Sequence, residues 1–143
     1  MVINKEKFKQ MEYSKNRIID VLYDDYYKNY RFIILNLGTH PVAYVEIPKK
    51  SKLYKKKYDK IDINVHGGLT YGNSFLMLSE HEILDNTWFI GWDYAHAGDY
   101  IGYELQFPEL SLNSVDDKKW TTEEMIADCV SVIDQIERID NNA

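Results

Sequence analysis

Cysteine occurs once in this chain, as Cys129. One thiol excludes an intrachain disulfide framework and any cysteine-rich zinc site, and it makes a reducing cytoplasm the simplest compartment. Net positive charge is also missing. The formal charge is −6, which argues against a partner that is a nucleic-acid polymer, since that role needs a net basic face. No apolar run approaches the roughly 20 residues that span a bilayer, and Met1–Gln10 lacks a signal-peptide apolar region. The expectation is an intracellular, cytoplasmic protein with no membrane partner. Three familiar signatures are absent as well. There is no phosphate loop ending in Lys-Ser/Thr, Gly91 to Gly98 does not have dinucleotide-fingerprint spacing, and no G-x-S-x-G elbow supplies a nucleophile.

What the chain does hold is unevenly distributed. Six of its seven glycines fall in two stretches, Val65–Gly72 and Trp88–Glu104, and these also concentrate histidine, aspartate and aromatic side chains. Backbone freedom and polar chemistry therefore coincide, as they do where a chain must approach a ligand closely. The 12 tyrosines add broad apolar faces with polar tips, which suit sheet surfaces, interfaces and stacking sites.

At 143 residues the chain is sized for one domain, residues 1–143, with no linker, repeat or low-complexity tract. A strand is expected near Ile18–Tyr23 after a frayed or helical start. Arg31–Leu37 and Val42–Ile47 flank Gly38-Thr39-His40-Pro41 and read as a hairpin, closed by Pro48. Asp62–Val65 alternates like a half-buried strand, and Ser74–Ser79, Thr87–Trp92 and Tyr100–Phe107 read as further strands. Glu80–Asn86 and Glu109–Lys119 read as connections. Thr121 and Glu124 fit a capping box, followed by an apolar stripe of Met125, Ile126, Cys129, Val130, Ile133 and Ile136 over about four turns. The sum is an α+β fold: an antiparallel sheet of about five or six strands with a C-terminal amphipathic helix packed on one face. Cys129 lies in the helix stripe and reads as core filling.

Chemistry-bearing residues converge on His66, Asp93, His96 and Asp99, with Glu104 beside them in sequence. The spacing of Asp93, His96 and Asp99 suits neither a helix nor a flat strand, so convergence needs an irregular loop turned toward His66. Two imidazoles and one or two carboxylates can bind a divalent metal, whose water attacks a phosphoester. Without a metal, amides freed by Gly67, Gly68 and Gly98 can hold phosphate oxygens. Thr70 adds a polar contact, and Asp93 or Asp99 can accept from ribose hydroxyls or a base edge. Tyr71, Trp88, Trp92, Tyr94, Tyr100 and Tyr103 offer stacking faces for a nucleobase. The structural alternative is that both aspartates form turns and His96 is a satisfied loop residue. Trp120 reads as a packing anchor ahead of the helix. A lysine run from Lys49 to Lys60 reads either as a solvated edge guard or as a cationic rim that draws an anion to a neighbouring pocket.

His66-Gly67-Gly68-Leu69-Thr70 and Phe89-Ile90-Gly91-Trp92-Asp93-Tyr94-Ala95-His96-Ala97-Gly98-Asp99 together resemble the motifs of a family of small proteins encoded by bacterial phages and prophages. The resemblance extends over roughly residues 30 to 137. It departs at Leu53–Asp59, where three lysines replace an aromatic-Gly-Lys-Asp loop. The resemblance implies a phage context in a bacterial host cell. By analogy with phage proteins that counter nucleotide-based immunity, it suggests binding and sequestration of a small anionic nucleotide-like ligand by a homo-oligomer, with no obligate cofactor. The competing expectation is a hydrolase or phosphodiesterase that uses His66, Asp93, His96 and Asp99 as catalytic residues, with or without a divalent metal. A protein-interaction module is the third.

Overall fold

The computed structural model describes residues 6–102 and 117–142. Its strands are β1 (Asp20–Tyr27), β2 (Tyr30–Asn36), β3 (Pro41–Glu46), β4 (Tyr71–Asn73), β5 (Leu76–Ser79), β6 (Glu82–Leu84) and β7 (Phe89–Asp93). A single 3-10 turn covers Tyr58–Lys60, and the helix α1 spans Thr122–Asn141. Five strands form an antiparallel sheet in the order β1-β2-β3-β7-β4, while β5 and β6 pair as a separate two-stranded sheet. The fold is α+β, with the helix on one face of the larger sheet.

Both faces of that sheet are covered, which explains the uninterrupted apolar run Phe32-Ile33-Ile34-Leu35 in β2. Phe32 and Ile34 pack toward α1 with Ala43, Val45, Ile90, Trp92, Met125, Cys129 and Ile133. Ile33 and Leu35 pack the other way, with Val42, Phe89, Leu76 and Leu78 beneath the β5–β6 hairpin. A bulge in β1 between Val21 and Tyr23 breaks the alternation there. It places the consecutive Leu22 and Tyr23 in the helix-side core.

The helix begins where the capping box requires. Thr121 Oγ1 accepts from the Glu124 amide at 3.2 Å, and Glu124 Oε1 accepts from the Thr121 amide at 3.0 Å. At 20 residues α1 is longer than the expected four turns. Its buried residues include Val132, whereas Val130 is only partly covered. Cys129 is fully buried in the stripe.

Several expected boundaries move. The first strand starts at Asp20 and runs on to Tyr27, turning into β2 through Lys28 and Asn29, both with positive φ (51° and 67°). That pair of left-handed residues is the geometry of a tight two-residue hairpin. Residues 6–19 contain no helix. Asp62–Val65 is not a strand. The Asn64 amide donates to Gln135 Oε1, and the Asn64 carbonyl accepts from Gln135 Nε2, both at 2.8 Å. A helix side chain thus takes the place of a neighbouring strand. The expected strand at Ser74–Ser79 is shorter, because the chain leaves the large sheet after Asn73 and starts the small one at Leu76. The expected connection Glu80–Asn86 contains β6. Of Tyr100–Phe107, residues 100–102 are not in a strand and the remainder lies outside the described residues. Among the described residues, no helix is long and apolar enough to cross a membrane.

Candidate functional site

The two glycine-rich stretches meet at one end of β7. Each delivers its histidine through a tight turn. In the first, the Gly68 amide donates to the Val65 carbonyl at 2.9 Å, with His66 and Gly67 at the corner. In the second, the Asp99 amide donates to the His96 carbonyl at 2.9 Å, with Ala97 and Gly98 at the corner. The third residue of each turn has positive φ, 69° at Gly67 and 92° at Gly98, which is the glycine position of a type II turn. Gly67 carries a second constraint. A Cβ built there would lie 2.2 Å from His96 Nε2, so the two turns touch through a space only glycine leaves open.

The imidazoles of His66 and His96 meet edge to face, with ring centroids 5.7 Å apart. Behind His66 stands Asp99. His66 Nε2 donates to Asp99 Oδ2 at 2.7 Å, the His96 amide donates to the same oxygen at 3.0 Å, and Trp120 Nε1 donates to Oδ1 at 2.8 Å. Asp99 is only 4% exposed. Burial alone would raise its pKa, but the donors from His66, the His96 amide and Trp120 outweigh it and hold the carboxyl below its ordinary 3.8. Asp93 stands beside His96, with Oδ1 3.1 Å from Nε2 but out of line for a hydrogen bond. That buried ring nitrogen has no hydrogen-bond partner among the described residues. Asp93 is instead engaged by the Ala95 amide and, at 3.2 Å, by the Thr70 hydroxyl.

Under the histidines lies an aromatic floor. The His66 ring stacks on Tyr94 (5.3 Å, 10° between planes) and tilts against Trp120 at 4.7 Å. Tyr94 Oη accepts from Trp92 Nε1 at 2.9 Å and donates to Asp128 Oδ2 at 2.8 Å. Burial, reinforced by Cys129 and Asp128, pushes the Tyr94 phenol far above its ordinary pKa of 10, and burial likewise raises Asp128. Tyr13 Oη accepts from the Trp120 amide, and burial pushes the Tyr13 phenol up to about 12. Lys118 Nζ lies 3.8 Å from the Trp120 ring centroid while pairing with Glu124. Main-chain bonds from Lys118 to Gly98 and from Tyr100 to Lys118 stitch the second turn to the segment entering α1.

The structure therefore brings His66, Gly67, Asp93, His96 and Asp99 together, with Thr70 bonded to Asp93. Gly68 and Gly98 border open space, with nothing within 4 Å of a Cβ added at either. Trp92 and Tyr94 are 1% and 0% exposed, so their faces are closed to a ligand and they support the site from below. Tyr71 lies on β4, edge to face with Tyr44 and hydrogen-bonded to the Phe75 carbonyl. Glu104 and Tyr103 lie outside the described residues. Trp120, Tyr13 and Asp128 are the partners that spacing did not reveal. No group of three or more His, Cys, Asp or Glu side chains is arranged to hold a metal ion among the described residues. Five clefts formed by the described residues, of about 250 to 590 Å³, are lined by side chains other than His66, Asp93, His96 and Asp99.

No protein-family model, curated protein or solved structure matches the chain.

Proposed function

We propose that the protein binds a small phosphate-bearing ligand of the nucleotide class across His66 and His96 and retains it without turnover. In this reading it is a cytoplasmic, self-associating sponge for a nucleotide signal in a phage-infected bacterium. The observation that carries the proposal is the meeting of two partly exposed imidazoles at 5.7 Å, beside two glycine turns that open onto free space. His66 Nε2 is committed to Asp99 and the Gly68 amide to the Val65 carbonyl, so in this reading the contacts to phosphate oxygens fall to the Nδ1 edges of the two imidazoles. Self-association belongs to the reading because a second copy closing over the two partly exposed rings would retain the ligand between them.

One observation favours a second reading. Asp99 fixes the orientation of His66, as a carboxylate does behind a general base. A hydrolase built this way would use His66 to take a proton from attacking water and His96 to protonate the leaving oxygen. Incubation with a panel of cyclic nucleotides and ADP-ribose derivatives, followed by analysis of free and heat-released ligand, separates the two. Intact release that is lost in His66→Ala and His96→Ala supports sequestration. Altered products lost in the same variants support the hydrolase, and no uptake refutes both.

A further inference from the structure

The lysine run does not serve the histidine pair as a whole. Asp93, at the end of β7, pairs with Val42, whereas Phe89, at its start, pairs with Glu46 just before Pro48 and Lys49. The two ends are separated by the four residue steps from Phe89 to Asp93, about 13 Å at roughly 3.3 Å per residue. Lys49 and Lys55 line a cleft of about 400 Å³ at the start of β7, within the range of about 300–1,000 Å³ typical of small-molecule sites.

Three features of that cleft are left unexplained by the fold alone. Lys49 and Lys55, like Lys50, Lys56, Lys57 and Lys60 of the same run, have no carboxylate partner among the described residues, whereas Lys7, Lys9, Lys28 and Lys118 pair with carboxylates. The Trp88 side chain lines the cleft, and its indole N–H is buried with no acceptor among the described residues. Buried donors are almost always satisfied, and this one lies in a cleft wall beside two lysines, one of which (Lys55) has its ammonium 5.7 Å from the Tyr54 ring centroid; an anionic acceptor would answer both the orphan donor and the local positive charge. Lys55 and Asn86, both lining the cleft, hold left-handed backbone at φ 61° and 57°. Such conformations are uncommon in non-glycine residues and cluster at ligand clamps. The hydroxyls of Ser74 and Thr87 complete a lining that carries no carboxylate. Glu46, bonded by Thr87, and Asp85 lie in the adjoining cleft, where Arg31 is neutralised by Asp24.

We infer that this cleft is a second binding site, separate from the histidine pair, for a phosphate-bearing small molecule. Lys49 and Lys55 hold the phosphate, Trp88 Nε1 donates to the anion, and the Tyr54 and Trp88 rings face the organic portion. The test is two-dimensional NMR of the full chain, with AMP, inorganic phosphate and adenosine as probes. The Trp88 indole resonance is assigned by its loss in Trp88→Phe. AMP should shift that resonance together with Lys49, Lys55 and Asn86, phosphate should shift the same set more weakly, and adenosine should leave it in place. A phosphate response as strong as that of AMP would keep the anion site but remove the organic contact. The double variant K49E/K55E changes two exposed side chains and should weaken AMP binding about tenfold or more, through loss of two charge-assisted contacts. His66→Ala should leave the Trp88 shift intact. The inference is overturned if millimolar AMP and phosphate leave the indole resonance unmoved, if K49E/K55E binds as wild type, or if His66→Ala removes the response.

Discussion

Asp99→Asn is the most informative single change, because it keeps shape and removes one acceptor. The carboxylate receives three donors on two oxygens: Trp120 Nε1–H on Oδ1, and His66 Nε2–H with the His96 amide on Oδ2. An asparagine offers one oxygen and one NH2. With its oxygen toward Trp120, the NH2 faces the His96 N–H, which cannot reverse its role. With its oxygen toward the histidines, the NH2 faces the Trp120 N–H, which cannot reverse either. In both poses one donor in a buried position is orphaned, at about 1–3 kcal/mol, and the surviving bonds lose their charge assistance. The expected destabilisation is about 2–3 kcal/mol near neutral pH, or roughly 5–10 °C in Tm for a chain of this size.

The pH dependence adds a sign that a generic packing defect would not share. The folded pKa of Asp99 lies below its ordinary 3.8. Its contribution is therefore fully present above that value and is lost as pH falls through the folded pKa. Urea titrations at neutral pH and down to about pH 3 should show the gap between wild type and Asp99→Asn narrowing with acid, because the wild-type carboxyl becomes neutral too. A gap under about 0.5 kcal/mol at neutral pH, or one that stays constant into acid, would refute the reasoning, since changes of that size are ordinary at indifferent positions.

Two further outcomes follow from local geometry. Gly67→Ala meets both a left-handed backbone and His96 Nε2 at 2.2 Å, whereas Gly68→Ala meets the backbone constraint alone. Gly68→Ala should cost about 1 kcal/mol, and Gly67→Ala about 1–2 kcal/mol more, with a displaced His96 ring visible in its NMR resonances; equal costs would show that the turns do not touch there. Burial, with Asp128 beside it, pushes the Cys129 thiol well above its ordinary pKa, so iodoacetamide should label it only when the chain unfolds. Mass spectrometry that found rapid labelling of the folded protein would contradict the packing of α1.

The parts of the fold legible in the sequence are those where one physical rule acts alone. Phe32–Leu35 and Val42–Val45 announce a hairpin, and Thr121 with Glu124 announces a capped helix; that both faces of the hairpin are covered emerges only from the structure. Legibility fails where partners come from outside the segment. Asp62–Val65 has strand alternation, but its amide and carbonyl at Asn64 are taken by Gln135, 71 residues away. Glu82-Ile83-Leu84 is polar enough to read as a loop, yet Met77 lies opposite Ile83 in the second sheet. The same distinction governs the site. Glycine positions, with the need for an irregular loop, place His66 near His96. Nothing in local spacing assigns Trp120 to Asp99, because that bond depends on how the helix entry docks.

That docking links the histidine pair to folding. Trp120 donates to Asp99 through its ring, and the next residue, Thr121, opens the capping box of α1. The Lys118 main chain meanwhile bonds to both Gly98 and Tyr100. The loop that carries His96 and Asp99 therefore acquires its final shape only when α1 is seated on the sheet. Tyr94, stacked under His66 and bonded to Asp128 of α1, ties the other turn to the same event. A site assembled this way is rigid to the extent that the helix is docked. Its two histidines are pre-organised by the hydrophobic burial of Met125, Cys129 and Ile133, whose energy far exceeds that of any single hydrogen bond around Asp99. The cleft at the other end of β7 has no such tie to α1 in its Lys49 and Lys55 side chains, so a ligand there must order them itself.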